Sequence, residues 1–169
     1  MHLRRAVLDD LDRAMQLVRK AVPLMRASGN LQWDDEYPNA AVFTLDIACG
    51  QLWVAEIAGQ MAGIAAITTD QSPEYADVGW DLSEKAIVIH RLAVDTDFRG
   101  RGVARVLMHQ AEVVAKESRI AVLRLDTNSH NQATQKLLPQ LGYIYAGEIG
   151  LAFRPGLRFY CYEKRLVVE

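Results

Sequence analysis

The sequence predicts an α+β fold, a single domain over residues 1–169 in which amphipathic helices and short strands are mixed. Three observations predict it. Apolar residues recur at helical spacing in two stretches, Leu11, Met15, Val18 and Val22, then Val103, Val106, Leu107, Ala111 and Val114. Two β-rich runs, 51–57 and 61–68, flank Ala58-Gly59-Gln60, a hairpin signal. Between Val88 and Ala104, an apolar strand leads through a polar turn into a Gly-rich bend that opens a helix.

The elements follow in order. Residues 2–7 read as a first strand, and Asp9 or Asp10 can cap the helix that follows. Pro23 is expected to kink or end that helix, because it lacks an N–H and its ring clashes with the preceding turn. A loop with Gly29, Asn30, Trp33 and Tyr37-Pro38 leads to a second helix over 39–49, which stops near Gly50. After the hairpin, residues 70–84 are polar and turn-rich and read as a long loop. A central strand covers 86–94, a helix 102–117 and a strand 121–127. A short helix spans 131–141 with Gly142 just past its end, and Pro139 should distort its last turn. Two strands, 143–148 and 157–167, finish the chain.

Composition narrows the function. With 50% hydrophobic and 24% charged residues, 169 residues suffice for one well-buried core. A net charge of −2 supplies no global field for nucleic acid or anionic membrane, so neither is expected as a partner. No stretch approaches the ~20 apolar residues of a membrane helix. The start, Met1-His2-Leu3-Arg4-Arg5, lacks a signal-peptide core, and the expectation is a cytoplasmic protein. Cys49 and Cys161 have no metal-ligand spacing, so both are expected reduced and buried, and no metal is expected.

The Gly-rich bend carries the chemistry. A bend into a helix start leaves backbone N–H groups unpaired at the positive end of the helix dipole, a setting that suits phosphate. Arg99, Arg101 and Arg105 add positive charge around it. No Gly-Lys-Ser/Thr follows, so this is not a P-loop, and the three-glycine dinucleotide fingerprint is absent. Arg99-x-x-Gly102-x-Ala104, after Leu92-Ala93-Val94, resembles the cofactor loop of the GNAT superfamily of acyl-CoA N-acyltransferases. A second segment, Asn131 through Leu137 to Gly142-Tyr143, resembles that family's Asn-x-x-Ala-x-x-Leu-Tyr-x-Lys-x-Gly-Phe motif. The predicted element order agrees with this family along essentially the whole chain. The resemblance implies a mixed α/β sandwich, its strongly twisted sheet of about seven strands carrying helices on both faces.

The resemblance also implies acetyl-CoA as co-substrate. Its pantetheine arm would pair with the main chain of Leu92, Ala93 and Val94, as an added strand does. Its pyrophosphate would rest on the amides of Arg99, Gly100, Arg101, Gly102, Val103 and Ala104. Side chains in place of Gly100 and Gly102 would hold it away. Asn131 would hydrogen-bond the arm and Asn128 assist, though each asparagine can instead cap a helix. The Leu92 N–H lies where relatives polarise the thioester carbonyl, a role worth roughly 3–4 kcal/mol of barrier. The family's thiolate-protonating tyrosine falls on Leu138; Tyr143 and Tyr145 are the alternatives.

An attacking ammonium of pKa ~10.4 must first lose a proton. The strand glutamate that some relatives use falls on Val88. His90, two residues on, is expected on the same face as Val88 and Leu92. It resembles the base histidine of arylalkylamine-type members, and a neutral imidazole serves near neutral pH. A core histidine bonded to a neighbour fits equally; Asp126, Glu148 and a water chain compete for the role. Trp33 and Tyr37 beside Asp34, Asp35 and Glu36, with Tyr75 and Trp80 beside Glu74, Asp77 and Asp81, suggest an acceptor cleft for an amine, small or lysine-like, or a peptide N-terminus. The expectation is an acetyl-CoA-dependent N-acetyltransferase working by direct attack in a ternary complex. A non-catalytic acyl-CoA sensor is the alternative, and the oligomeric state, a homodimer included, stays open.

Overall fold

A computed structural model describes residues 1–167. Its strands are β1 (His2–Arg5), β2 (Leu52–Ile57), β3 (Gln60–Thr68), β4 (Ile87–Val94), β5 (Val122–Asn128), β6 (Ile144–Leu151) and β7 (Arg154–Arg165). The helices are α1 (Leu11–Ala27), α2 (Ala40–Ala48), α3 (Val103–Glu117) and α4 (Gln132–Gln140). One seven-stranded sheet runs β1-β2-β3-β4-β5-β7-β6, antiparallel except for the β4–β5 pair. The predicted α+β class, mixed sheet and element order all hold.

Strand alternation sorts the core into two faces. On one face Ala65, Ile67, Ile87, Ile89, Leu123 and Leu125 pack against Leu107, Met108 and Ala111 of α3 and Leu138 of α4. On the other, Val54, Ile64 and Ala66 pack against Leu17, Val18 and Val22 of α1 and Phe43 of α2. Farther along that second face the segment between β3 and β4 takes over: Tyr75, Val78, Trp80 and Leu82 cover Val88, Val122 and Phe159.

Several expectations are corrected. Pro23 does not end α1, which continues to Ala27. Ala14, Leu17, Val18, Ala21 and Val22 are all buried along it, and their packing outweighs the roughly 3 kcal/mol that an interior proline costs. Pro139 sits inside α4, as expected. The buried stripe of α3 is Val103, Leu107, Met108, Ala111 and Ala115, so Val106 and Val114 flank it rather than form it. Residues 70–84 are not an open loop, because Pro73–Val78 forms 3-10 turns that bury Tyr75 completely. Strands β6 and β7 extend toward each other to leave only Ala152 and Phe153 between them. Cys161 is buried as expected, but Cys49 is exposed just past the end of α2; both are free thiols.

Candidate active site

The site begins where β4 leaves its parallel neighbour. The two strands pair only at Ile87–Leu123 and Val88–Arg124, and from Ile89 onward they diverge. The Asp95 N–H donates to the Ala62 carbonyl on the β3 side (2.8 Å), so by alternation Val94 presents its N–H and C=O to the open gap.

Just before that, β4 carries a bulge. Ala66 faces His90 and Ile64 faces Ala93, so two steps on β3 meet three on β4. Arg91 absorbs the extra residue with φ +51, a left-handed conformation costly for any residue that carries a Cβ. Its guanidinium is clamped by Asp46 of α2, Nε to Oδ2 and Nη2 to Oδ1, both at 2.7 Å, and Nη1 reaches the Tyr37 hydroxyl at 3.3 Å. Asp46 is 4% exposed, so the pair is a buried one.

The bulge overturns one expectation. His90 was expected on the face of both Val88 and Leu92. Leu92 instead packs with Ile87 and Ile89 on the α3 side, whereas Val88 lies on the other. His90 keeps the parity of Val88, and Asp126, two residues along from Arg124 on β5, reaches the same face.

Two adjoining cavities occupy the gap. The larger, about 740 Å³, runs from the bend before α3 along β4, walled by Leu92, Ala93, Val94 and α1. The smaller, about 230 Å³, holds His90, Arg91, Asp126, Trp33 and Tyr37. They share Met25, Trp33, Leu92, Asn131 and Thr134, so Leu92 stands at the junction.

At the outer end of the larger cavity, Gly100 (φ +74) and Gly102 (φ +78) are both left-handed, the conformation glycine tolerates. A Cβ on either would meet nothing within 4 Å, so the space in front of them is open. The Val106 N–H donates to the Gly102 carbonyl, while the amides of Val103, Ala104 and Arg105 ahead of it have no acceptor among the described residues. Arg99 and Arg105 line this mouth, and Arg105 is also held by Gln140 Oε1 at 2.7 Å. Arg101 does not line it; its guanidinium lies 5.5 Å from the Phe98 ring centre.

At the inner end, His90 Nε2 lies 3.0 Å from the Asp70 carbonyl oxygen. A carbonyl only accepts, so Nε2 carries the proton and Nδ1 is left basic. Burial pushes the imidazole below its ordinary value, which keeps it neutral at pH 7. Asp126 moves the other way, raised by burial, although the Tyr75 hydroxyl donates to its Oδ2 at 2.6 Å. Asp70 is held in place indirectly. Arg124, 1% exposed, donates to Glu163, Glu84 and the Asp81 carbonyl, and at 2.7 Å to Oε1 of Gln71, the residue after Asp70.

Comparison with known proteins decides the family. The model of the acetyltransferase (GNAT) family matches residues 14–143. The chain belongs to that family. A crystal structure of a GNAT-family acetyltransferase from Streptococcus agalactiae superposes with a TM-score of 0.83 at 28% identity, covering 99% of this chain and 96% of that one. Among curated proteins, the chain is 30% identical over 105 residues to N-acetylaspartate synthetase of Danio rerio, covering 62% of this chain and 33% of that protein. It is 29% identical over 96 residues to N-acetyltransferase 8F1 of Mus musculus, covering 57% and 40%. The match thus spans a third to two fifths of those two relatives' length.

The remaining site residues fall as follows. Asn131 caps α4, its Oδ1 accepting from the Thr134 N–H (3.2 Å), and it also lines both cavities. Asn128 lines neither cavity; its Oδ1 accepts from the His130 N–H and ties the turn after β5. Tyr75 and Trp80 are likewise away from both cavities. They pack edge to face, centroids 5.1 Å apart, and Trp80 lies under the Arg124 guanidinium. Tyr143 is buried in the core and Tyr145 is exposed beside Tyr160, so neither faces a cavity. Glu148 pairs with Arg158 at 3.2 Å, away from both cavities. Arg91, with its Asp46 partner, Phe153 and Arg154 went unread in the sequence. A bulge and a partner 45 residues away leave no local signature.

Among the described residues, no helix is long and apolar enough to cross a membrane, and no group of three or more metal-ligating side chains is found.

Proposed function

We propose that this GNAT-family protein is an N-acetyltransferase that uses acetyl-CoA and an amine in a ternary complex. The observation that carries the reading is the continuous gap between β4 and β5, which runs from free amides at the bend to a neutral histidine. In this reading the diphosphate of acetyl-CoA rests on the amides from Arg99 to Ala104, Gly100 and Gly102 giving it room. The pantetheine arm pairs with β4 at Leu92 to Val94, while Asn131 meets it from α4. The acceptor enters the smaller cavity past Trp33 and Tyr37.

His90 Nδ1 takes a proton from the ammonium. The freed nitrogen attacks the thioester carbon, and the Leu92 N–H faces the oxygen that becomes negative. Collapse breaks the C–S bond; the new amide nitrogen sheds its second proton to solvent, and the departing thiolate of coenzyme A takes a proton from water. With a thiol pKa of ~8.5, that departure needs no dedicated acid, consistent with Leu138 at the family's tyrosine position. A covalent cysteine route is disfavoured: burial and the nearby Asp126 push the Cys161 thiol up to about 12. Cys49 sits at the far end of α2 and lines neither cavity. The N-acetyl in the names of the relatives supports nitrogen as the nucleophile.

Amine-dependent thiol release, measured for wild type and His90→Gln, tests this. The reading expects a loss of about 10²–10³ in kcat with acetyl-CoA affinity retained. A protein that binds acetyl-CoA yet turns over no amine is the sensor instead.

A further inference from the structure

Two guanidinium groups flank Tyr37, and only one has its side-on Nε/Nη2 fork filled by a carboxylate. Arg91, which bonds the Tyr37 hydroxyl, presents Nε and Nη2 as a side-on fork, and Asp46 fills it with both oxygens at 2.7 Å. Arg154, at the start of β7, stacks over the Tyr37 ring at 5.3 Å and the Phe153 ring at 5.7 Å. Its Nη1 donates to Asp34 Oδ2 at 3.2 Å, but Nε and Nη2, the same side-on pair, are buried with no hydrogen-bond partner. Arg154 Cζ lies over both rings, and a ring face offers no lone pair to those donors. Buried donors without partners are rare in native proteins, and each calls for an acceptor. A fork of this shape takes a carboxylate in bidentate fashion.

The location gives the fork its meaning. Arg154 sits directly behind the lining of the smaller cavity, which Tyr37 and Phe153 share with His90 and Asp126. Phe153 is 53% exposed on the two-residue turn between β6 and β7, so it can yield to an entering group. At about 230 Å³ the cavity is smaller than typical drug-sized sites and suits a compact molecule. We propose that the acceptor is a free amino acid, its carboxylate held by the Nε/Nη2 fork of Arg154 and its amine turned toward His90. This rests on the transferase reading above and adds the acceptor's class to it.

The test pairs each of a panel of free amino acids with its carboxamide and with the amine lacking the carboxylate. Acetyl-CoA binding is titrated separately by calorimetry. The proposal expects at least one acid to be acetylated with kcat/KM about tenfold or more above its amide and amine. Arg154→Gln should raise KM for that acid about tenfold or more, change kcat little and erase the preference over the amide. Asp34→Asn, which frees Nη1 at a half-exposed carboxylate, should lower KM for the acid and gives a second handle should Arg154→Gln fail to fold. If acetyl-CoA binds and amides, plain amines or peptides are acetylated as well as the acids, the proposal is overturned while the transferase reading stands. An Arg154→Gln enzyme that slows acid and amide equally overturns it too. Failure to bind acetyl-CoA overturns both.

Discussion

Asp46→Asn removes one charge from the pair that holds the β4 bulge and keeps the side chain's size. Asp46 is 4% exposed and the Arg91 side chain 14%, so the change strands a buried guanidinium. Breaking one partner of a buried pair costs about 3–5 kcal/mol. At roughly 2–4 °C per kcal/mol for a domain of this size, the melting temperature should fall by about 6–20 °C. The bulge also aims the main chain on which Leu92 sits, one residue past Arg91 at φ +51. Freed from its clamp, Arg91 can relax toward ordinary strand geometry and turn the Leu92 amide from the gap. Loss of one well-aimed donor costs about 10²–10³ in kcat. Differential scanning calorimetry reads the first effect, and steady-state kinetics at a temperature where the variant is folded reads the second. The double variant Asp46→Leu with Arg91→Met should melt higher than Asp46→Asn, because no charge is left stranded, yet remain as slow. A single variant that melts within about 2 °C of wild type and keeps its kcat would refute the reasoning.

Other outcomes follow from the same geometry. Gly63→Ala places a Cβ 2.5 Å from Val103 Cγ1 and 3.0 Å from the Ala93 carbonyl, where α3 meets the sheet, and should cost about 1–3 kcal/mol in urea unfolding. Gly102→Ala meets no atom within 4 Å and should cost only about 1 kcal/mol for its positive φ. Its methyl projects into the space given to the diphosphate, so acetyl-CoA affinity measured by calorimetry should fall about tenfold or more. The depressed pKa of His90 means that the folded state resists protonation. Stability from this group is therefore complete above the unfolded value of ~6.5 and is lost as pH falls below it, whereas in His90→Gln that share of the pH dependence disappears. For the same reason kcat/KM for the amine should show no His90 titration above pH ~6.5, and its acid limb should lie lower.

The strand–bend–helix unit, the hairpin and the Asn131 cap were legible because each is written in adjacent residues: apolar period, left-handed glycines, an asparagine at a helix start; the cap expected of Asp9 or Asp10 does not form, because the Asp10 carboxylate turns back to the Val7 N–H and Arg4. What stayed hidden depends on distant partners. The Arg91 bulge is set by Asp46 and by pairing with β3, and it reverses the face of Leu92. Tyr75 and Trp80 sit in a polar stretch that looks solvated, yet Asp126 and Arg124 of β5 draw both inward. Pro23 survives inside α1 because five buried neighbours hold the helix together. The empty fork of Arg154 is visible only once Tyr37 and Phe153 are seen stacked on it.

The central claim concerns where coenzyme A lies. A crystal structure of the protein soaked with acetyl-CoA tests it most directly. Diphosphate oxygens should lie within hydrogen-bonding distance of amides between Arg99 and Ala104, with the thioester beside Leu92 at the junction of the two cavities. Coenzyme A bound on another surface, or lying in the gap with its diphosphate away from the bend, would contradict it.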